Sequence, residues 1–304
     1  MSLKLGTRGS PLALAQARKV ATAIEASQCW PAGHVEIVTA MTTGDAVQDR
    51  PLAEIGGKAL WTKELDLALL GGEVDFCVHS MKDVESERPG EIHIASIPLR
   101  EDVRDRLIGA RSIEDLPQGA KVGTSSPRRA AQLLSLRPDL RIVPFRGNVE
   151  TRLRKVEAGE VDATLLAAAG LRRLGMMDVG VAIPVEILLP APGQGALGLE
   201  CRTGDARTQS ILTTVNNQIT YSAVMVERAF TRALGGSCHS PVAALALLDD
   251  GKLQLRAQIF SEDGQEMIEE KAIFDCGDDN VPETMARKML ERAPPSIRGL
   301  FAAA

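Results

Sequence analysis

The sequence predicts an α/β protein built as two similar α/β domains followed by a small C-terminal α+β domain. Short β-rich runs alternate with longer helical patterns through the first two thirds of the chain, as expected of a parallel or mixed sheet covered by helices. The alternation runs through two cycles. Beyond about residue 218 it gives way to successive strands flanked by helices. The length of 304 residues agrees, because single cores stop growing at roughly 250 residues and typical domains hold about 100 to 150.

In the first cycle KLGTR reads as a strand, PLALAQARKVATAIEA as a helix and HVEIVTA as a strand. Gly56 and Gly57 mark a loop. LWTKELDLALL then has helical spacing, and VDFCVHS is the continuous apolar run of a buried strand. A second cycle begins near LIGARSIEDLP. There KVGTSS is a strand ending in small polar residues, and SPRRAAQLLSLRP is a helix with Pro127 suited to its first turn. LRIVPFRG is a strand, NVETRLRKVEAGE a helix and DATLLAAAG a strand. This cycle repeats the first without obvious sequence identity, which predicts two similarly built domains facing one another. Pro184, Pro190 and Pro192 punctuate the return path. A helix AVMVERAFTRAL, strands PVAALALL, KLQLRAQIF and MIEEKAIF, and a helix PETMARKMLERA complete the chain. The expected domains are residues 1–96 plus 196–215, residues 97–195, and residues 216–304.

The formal charge of −5 and an aromatic content of 3% argue against a nucleic-acid coat, which needs a basic face and exposed rings for stacking. Any anion site must be a local concentration of arginine. The N-terminus carries no apolar stretch of secretory length, and no run approaches the ~20 residues needed to cross a bilayer. The expectation is a cytoplasmic protein with no membrane partner. Five widely spaced cysteines, with no CxxC pair, indicate neither a disulfide framework nor a zinc site, so no metal is expected.

Arginine is the informative residue, because its planar, permanently charged fork matches carboxylates in bidentate geometry. Arg8 ends the first strand, Arg128 and Arg129 open a helix after KVGTSS, and Arg146 ends LRIVPFRG, with Arg152 and Arg173 nearby. Ligands of α/β sheets bind outside the carboxyl ends of the strands, where helix N-termini offer unpaired N–H groups to anions. Thr124, Ser125 and Ser126 add hydroxyls at the same place. A ligand with several carboxylates or phosphates is implied. Any one of these arginines alone reads more readily as a solvated surface residue; the joint placement at strand ends favours a cleft.

HSMKD ends the strand VDFCVHS, so Lys82 and Asp83 belong to the same strand edge. A carboxylate held among cations stays ionised and can stabilise a developing positive charge, although a Lys-Asp pair at a strand end is also a common structural feature. Cys238 lies in ALGGSCHSP, a glycine-rich turn that can expose a thiol. Cys77 lies within an apolar β run and reads as an inert core residue. Gly193, Gly195 and Gly198 have dinucleotide-loop spacing but lack its context of a preceding strand and a following helix. A hinge or a close backbone approach to ligand is the expected role there.

The ordered motifs TRGSPLALAQA (7–17), TTGD (42–45), GGKALWTKEL (56–65), VHSMKDV (78–84) and GTSSPRRAAQL (123–133) resemble the porphobilinogen deaminase family. RGNVETRL (146–153), LAAAGLRRLG (166–175), PGQGALGLECR (192–202) and GGSCHSP (235–241) extend the resemblance over nearly the full length. The resemblance implies a monomeric transferase of tetrapyrrole biosynthesis, which joins porphobilinogen units on a dipyrromethane cofactor. It further implies that Cys238 holds that cofactor through a thioether and that Asp83 is the catalytic carboxylate. Arg8, Ser10, Lys82, Thr124, Ser126, Arg128, Arg129, Arg146, Arg152, Arg173 and Gln194 match positions that bind acetate and propionate side chains. Ser237 stands where the family usually has glycine and bears on the geometry of the cofactor loop. A rival reading from the architecture alone is a non-catalytic small-anion receptor, with two periplasmic-binding-protein-like α/β domains; it would need neither an exposed thiol nor a covalent adduct.

Overall fold

A computed structural model of the chain describes residues 2–40, 62–236, 240–278 and 280–301. The motif TTGD, most of GGKALWTKEL, Ser237 and Cys238 lie outside the described residues. In chain order the elements begin with β1 (Leu3–Arg8), α1 (Pro11–Ser27), β2 (Val35–Ala40), α2 (Lys63–Leu70), β3 (Phe76–Ser80) and β4 (Ile92–Ser96). They continue with β5 (Asp105–Ile108), β6 (Lys121–Gly123), α3 (Pro127–Leu136), β7 (Arg141–Val143), α4 (Val149–Glu157), β8 (Ala163–Ala167), α5 (Ala168–Arg173) and β9 (Val181–Ala182). The last are β10 (Leu197–Arg202), α6 (Ala206–Thr213), α7 (Gln218–Ala233), β11 (Val242–Asp249), β12 (Lys252–Phe260), β13 (Met267–Asp275), α8 (Asn280–Arg292) and α9 (Pro295–Arg298). Among the described residues no helix is long and apolar enough to cross a membrane.

By its contacts the chain divides into two units, Met1–Glu101 with Ala196–Tyr221, and Asp102–Gly195 with Ser222–Ala304. The sheet of the first runs β2-β1-β3-β10-β4 and the α/β sheet of the second β7-β6-β8-β5-β9. Both are built alike. Each has three parallel strands, then one antiparallel strand drawn from outside the local β-α-β run, then an edge strand. In the first unit the inserted strand is β10, which arrives only after the whole second α/β domain. The remainder of the second unit is the antiparallel sheet β11-β12-β13 with its helices.

A short identity accompanies the repeated architecture. Ser10, Pro11, Ala15 and Gln16 of α1 recur as Ser126, Pro127, Ala131 and Gln132 of α3. Each serine is an N-cap, accepting from Ala13 N at 3.3 Å and from Arg129 N at 3.5 Å, and each proline stands in the first turn, where its missing N–H costs nothing. Two expected strands end early. LRIVPFRG is a strand only to Val143, because Pro144 cannot donate to a ladder, so Arg146 lies beyond the strand rather than at its end. DATLLAAAG leaves the sheet at Ala167, and its alanines open α5.

Each sheet has its own core. Leu5, Ile24, Phe76 and Leu199 close the first, Leu107, Leu133 and Leu165 the second, and Phe230, Leu255, Ile259 and Met289 the C-terminal one. Burying such side chains contributes about 1.5–3 kcal/mol each.

Candidate functional site

The first unit gathers its candidate residues at the carboxyl edge of its parallel strands. Gly6 of β1 pairs with Cys77 of β3 in parallel register, so Arg8 and the residues following Ser80 emerge at the same edge. Ser10 caps α1 there. β3 ends in a single 3-10 turn, Met81–Asp83, which carries Lys82 and Asp83, both half-buried. The turn is anchored on three sides. Met81 N donates to Ala196 O at 3.1 Å, Val84 N donates back to Met81 O at 3.3 Å, and Gln16 Nε2 donates to Ser80 Oγ at 2.9 Å.

Gly198 explains part of the glycine-rich stretch. It lies opposite His79 on β10, and a Cβ there would overlap Met81 Sδ. Gly193 and Gly195 adopt φ of 72° and 87° in the turn before β10, a conformation glycine takes without strain. Gly198→Ala is therefore expected to displace Met81 and, with it, the turn carrying Asp83. A stability loss of about 1–3 kcal/mol should accompany the overpacking. Urea unfolding measures it; an unchanged urea midpoint would show that Met81 yields to the added methyl without cost.

Behind the turn lies a buried charged cluster that the sequence did not reveal. Arg88 donates from Nε and Nη2 to the two oxygens of Glu200, each at 2.9 Å, and from Nη2 to Asp66 Oδ1 at 2.5 Å. Its Nη1 donates to Glu85 Oε2 at 3.2 Å. His79 Nε2 stands 3.3 Å from Glu200 Oε2, and burial pulls the imidazole's pKa below its usual 6.5 even though Glu200 opposes the shift. Burial alone would also lower Arg88, but Glu200 and Asp66 outweigh it and raise it. Cys77, fully enclosed and donating to Leu65 O at 3.6 Å, has its thiol pushed up by burial and by Glu200, which leaves it an inert core residue.

The second unit repeats the arrangement with arginines. β6 is parallel to β7 and β8, so Thr124 to Arg129, Arg146 to Arg152, and Arg173 of α5 all follow the carboxyl ends of parallel strands. The hydroxyls are engaged locally. Thr124 Oγ1 accepts from Ser126 N at 3.1 Å, and Ser125 Oγ accepts from Phe145 N at 3.0 Å. Arg152 Nε donates to Gly147 O at 2.9 Å, and Arg173 Nη2 to Gly195 O at 2.6 Å.

Arg128 and Arg129 are buried, and both reach one carboxylate. Arg128 Nη2 donates to Asp105 Oδ2 at 2.8 Å and Arg129 Nη2 to Asp105 Oδ1 at 2.6 Å. Gln194 Nε2 donates to the same Oδ1 at 3.0 Å and to Val103 O at 2.7 Å. Burial and neighbouring Arg129 lower the pKa of Arg128 despite Asp105, yet a guanidinium keeps its proton. The Nε of each arginine is buried with no partner among the described residues. One carboxylate thus faces two cations, leaving a net positive charge and spare donors. Asp105 escaped the sequence reading because it stands in the charged run REDVRDR. The signal was in α3, where two arginines share the buried face with Ala131 and Leu133 and so require an acid partner.

Asp105→Ala is expected to destabilise the protein by about 3–5 kcal/mol, because it strands two buried cations. Chemical denaturation measures this; a loss below about 1 kcal/mol would show that the arginines can reach water.

Residues 3–210 match the family model described as porphobilinogen deaminase, dipyromethane cofactor binding domain, and residues 221–292 match the porphobilinogen deaminase C-terminal domain. The chain is 52% identical to the porphobilinogen deaminase of Sphingopyxis alaskensis, over 99% of this chain and 96% of that protein. It is 47% identical to the porphobilinogen deaminase of Paracoccus denitrificans, over 96% of this chain and 95% of that one. Among solved structures, an ancestral cationic amino acid solute binding protein is similar at 17% identity and a TM-score of 0.47, over 72% of this chain and 90% of that one. The chain belongs to the porphobilinogen deaminase family.

Proposed function

We infer that this chain is a transferase that deaminates four porphobilinogen molecules, joins them head to tail and releases them with water as hydroxymethylbilane, a step of tetrapyrrole biosynthesis. The observation that carries the reading is the arginine-rich edge of the second unit. Arg128 and Arg129 hold permanent charge, and each keeps a buried Nε donor unpaired among the described residues. That donor set fits the carboxylate side chains of pyrroles, including those of the dipyrromethane cofactor. When bound, the cofactor supplies the pyrrole carbon from which the product is extended. Cys238 is the proposed tether.

The proposed division of labour follows from charge. Arg8, Lys82, Arg128, Arg129, Arg146, Arg152 and Arg173 hold acetate and propionate groups, with Ser10, Thr124, Ser125, Ser126 and Gln194 orienting backbone and side chains around them. Loss of ammonia from porphobilinogen leaves a cationic, azafulvene-like methylene pyrrole. Asp83 stabilises that charge through the pyrrole N–H and takes up the proton released when the new bond forms. The protein is proposed to act as a cytoplasmic monomer on this small molecule, with neither nucleic acid nor membrane as partner; its net negative charge supports the first exclusion.

Incubating the purified protein with porphobilinogen tests the reading. One ammonia released per pyrrole consumed, with a linear tetrapyrrole that cyclises to a porphyrinogen, is the expected result. Pyrrole binding without ammonia release would overturn it in favour of a receptor.

A further inference from the structure

Arg128 is held on one side by Asp105 and on the other by a line of side chains that leads from α3 into the C-terminal sheet. Arg128 Nη1 donates to Gln132 Oε1 at 3.1 Å. Gln132 Nε2 donates to Gln258 Oε1 and to Leu189 O, each at 3.1 Å. Gln258 Nε2, from β12, donates to Glu269 Oε2 of β13 at 2.6 Å. Both glutamines are buried, 3% and 8% exposed. Glu269 is held in turn by Arg256 Nε at 3.0 Å and Lys271 Nζ at 3.5 Å.

The two ends of this line fix its direction. An ionised carboxylate only accepts, and a guanidinium only donates. Gln258 therefore turns its amide nitrogen to Glu269 and its oxygen to Gln132, and Gln132 repeats that polarity toward Arg128. Reversing either amide sets like groups face to face in a buried place, where an unmade hydrogen bond is expensive. The corresponding glutamine of the first unit, Gln16, supports the strand end beside Asp83 by donating to Ser80 Oγ at 2.9 Å. Glutamine at this helix position braces a strand-end site in both units.

We propose that Glu269, Gln258 and Gln132 are positioning residues for Arg128, fixing the plane of its guanidinium and hence the affinity for the carboxylates of porphobilinogen. The proposal rests on the reading of Arg128 as a carboxylate-binding residue. It assigns to the C-terminal sheet a part in substrate recognition that acts through an arginine on another element.

Gln258→Leu in the cofactor-loaded protein tests it. The expected result is a rise of roughly fivefold to tenfold in KM for porphobilinogen, about the worth of one hydrogen bond between neutral groups, with kcat within about twofold. Glu269→Gln, which keeps the shape but frees the polarity of the line, should give a smaller rise in the same direction. Added to Arg128→Lys, Gln258→Leu should change KM little further, since its effect passes through the arginine. An unchanged KM in Gln258→Leu, or a rise that adds in full to that of Arg128→Lys, overturns the proposal. Should the unsubstituted protein fail to consume porphobilinogen, the functional reading falls and the proposal falls with it.

Discussion

Replacing Asp83 by Asn is expected to leave a folded, cofactor-loaded protein whose turnover of porphobilinogen is lower by about two to three orders of magnitude. Asn has nearly the same shape, and the turn is fixed by its backbone, through Met81 N on Ala196 O and Val84 N on Met81 O. Gln16 holds Ser80 from a separate helix. None of these bonds uses the Asp83 carboxylate, so the geometry should survive while one negative charge is removed. A neutral amide cannot offset the positive charge left on the pyrrole when ammonia departs, nor take up the proton released afterward. Ammonia release under steady state gives the rate, and denaturing mass spectrometry of the same sample checks that the dipyrrole is still attached. Turnover close to that of the unsubstituted protein would remove Asp83 from the mechanism.

Cys238→Ser is expected to abolish covalent attachment altogether. A thioether forms from the thiolate, and a serine hydroxyl at neutral pH supplies almost none of the corresponding anion. The intact chain should then show its bare polypeptide mass after denaturation, and an aldehyde reagent for pyrroles should give no pink or purple colour. The unsubstituted chain should carry the dipyrrole mass and give the colour. A serine variant that retained the adduct would place the tether on another residue. Cys77 is a poor candidate, since burial and Glu200 press its thiol toward the protonated form.

The architecture was legible because alternation of element types survives without knowledge of contacts. Pro127 announced a helix start after KVGTSS, and VDFCVHS announced a buried strand. Legibility failed where a residue's meaning depends on what it meets. Asp105 and Arg88 each lie in runs dense with charge, and nothing local separates a buried ion pair from a solvated one. Gly198 looked like part of a ligand loop, whereas its lack of a side chain makes room for Met81. The line from Glu269 to Arg128 joins residues 141 positions apart, and Gln258 carries no local signal. Strand ends erred for ordinary reasons: a proline closed β7, and alanines after β8 turned helical.

The borrowed strand in the first sheet also has a consequence for biogenesis. β10 lies between β3 and β4, so among the described residues β4 has no hydrogen-bonded strand neighbour until β10 has been made. All five strands of the second α/β sheet fall between residues 105 and 182. A chain emerging from the ribosome therefore completes its second sheet before its first, reversing the usual N-terminal-first order. Until then an N-terminal segment with an open sheet edge waits exposed, which makes the interval before β10 appears the period of greatest exposure to chaperones and proteases.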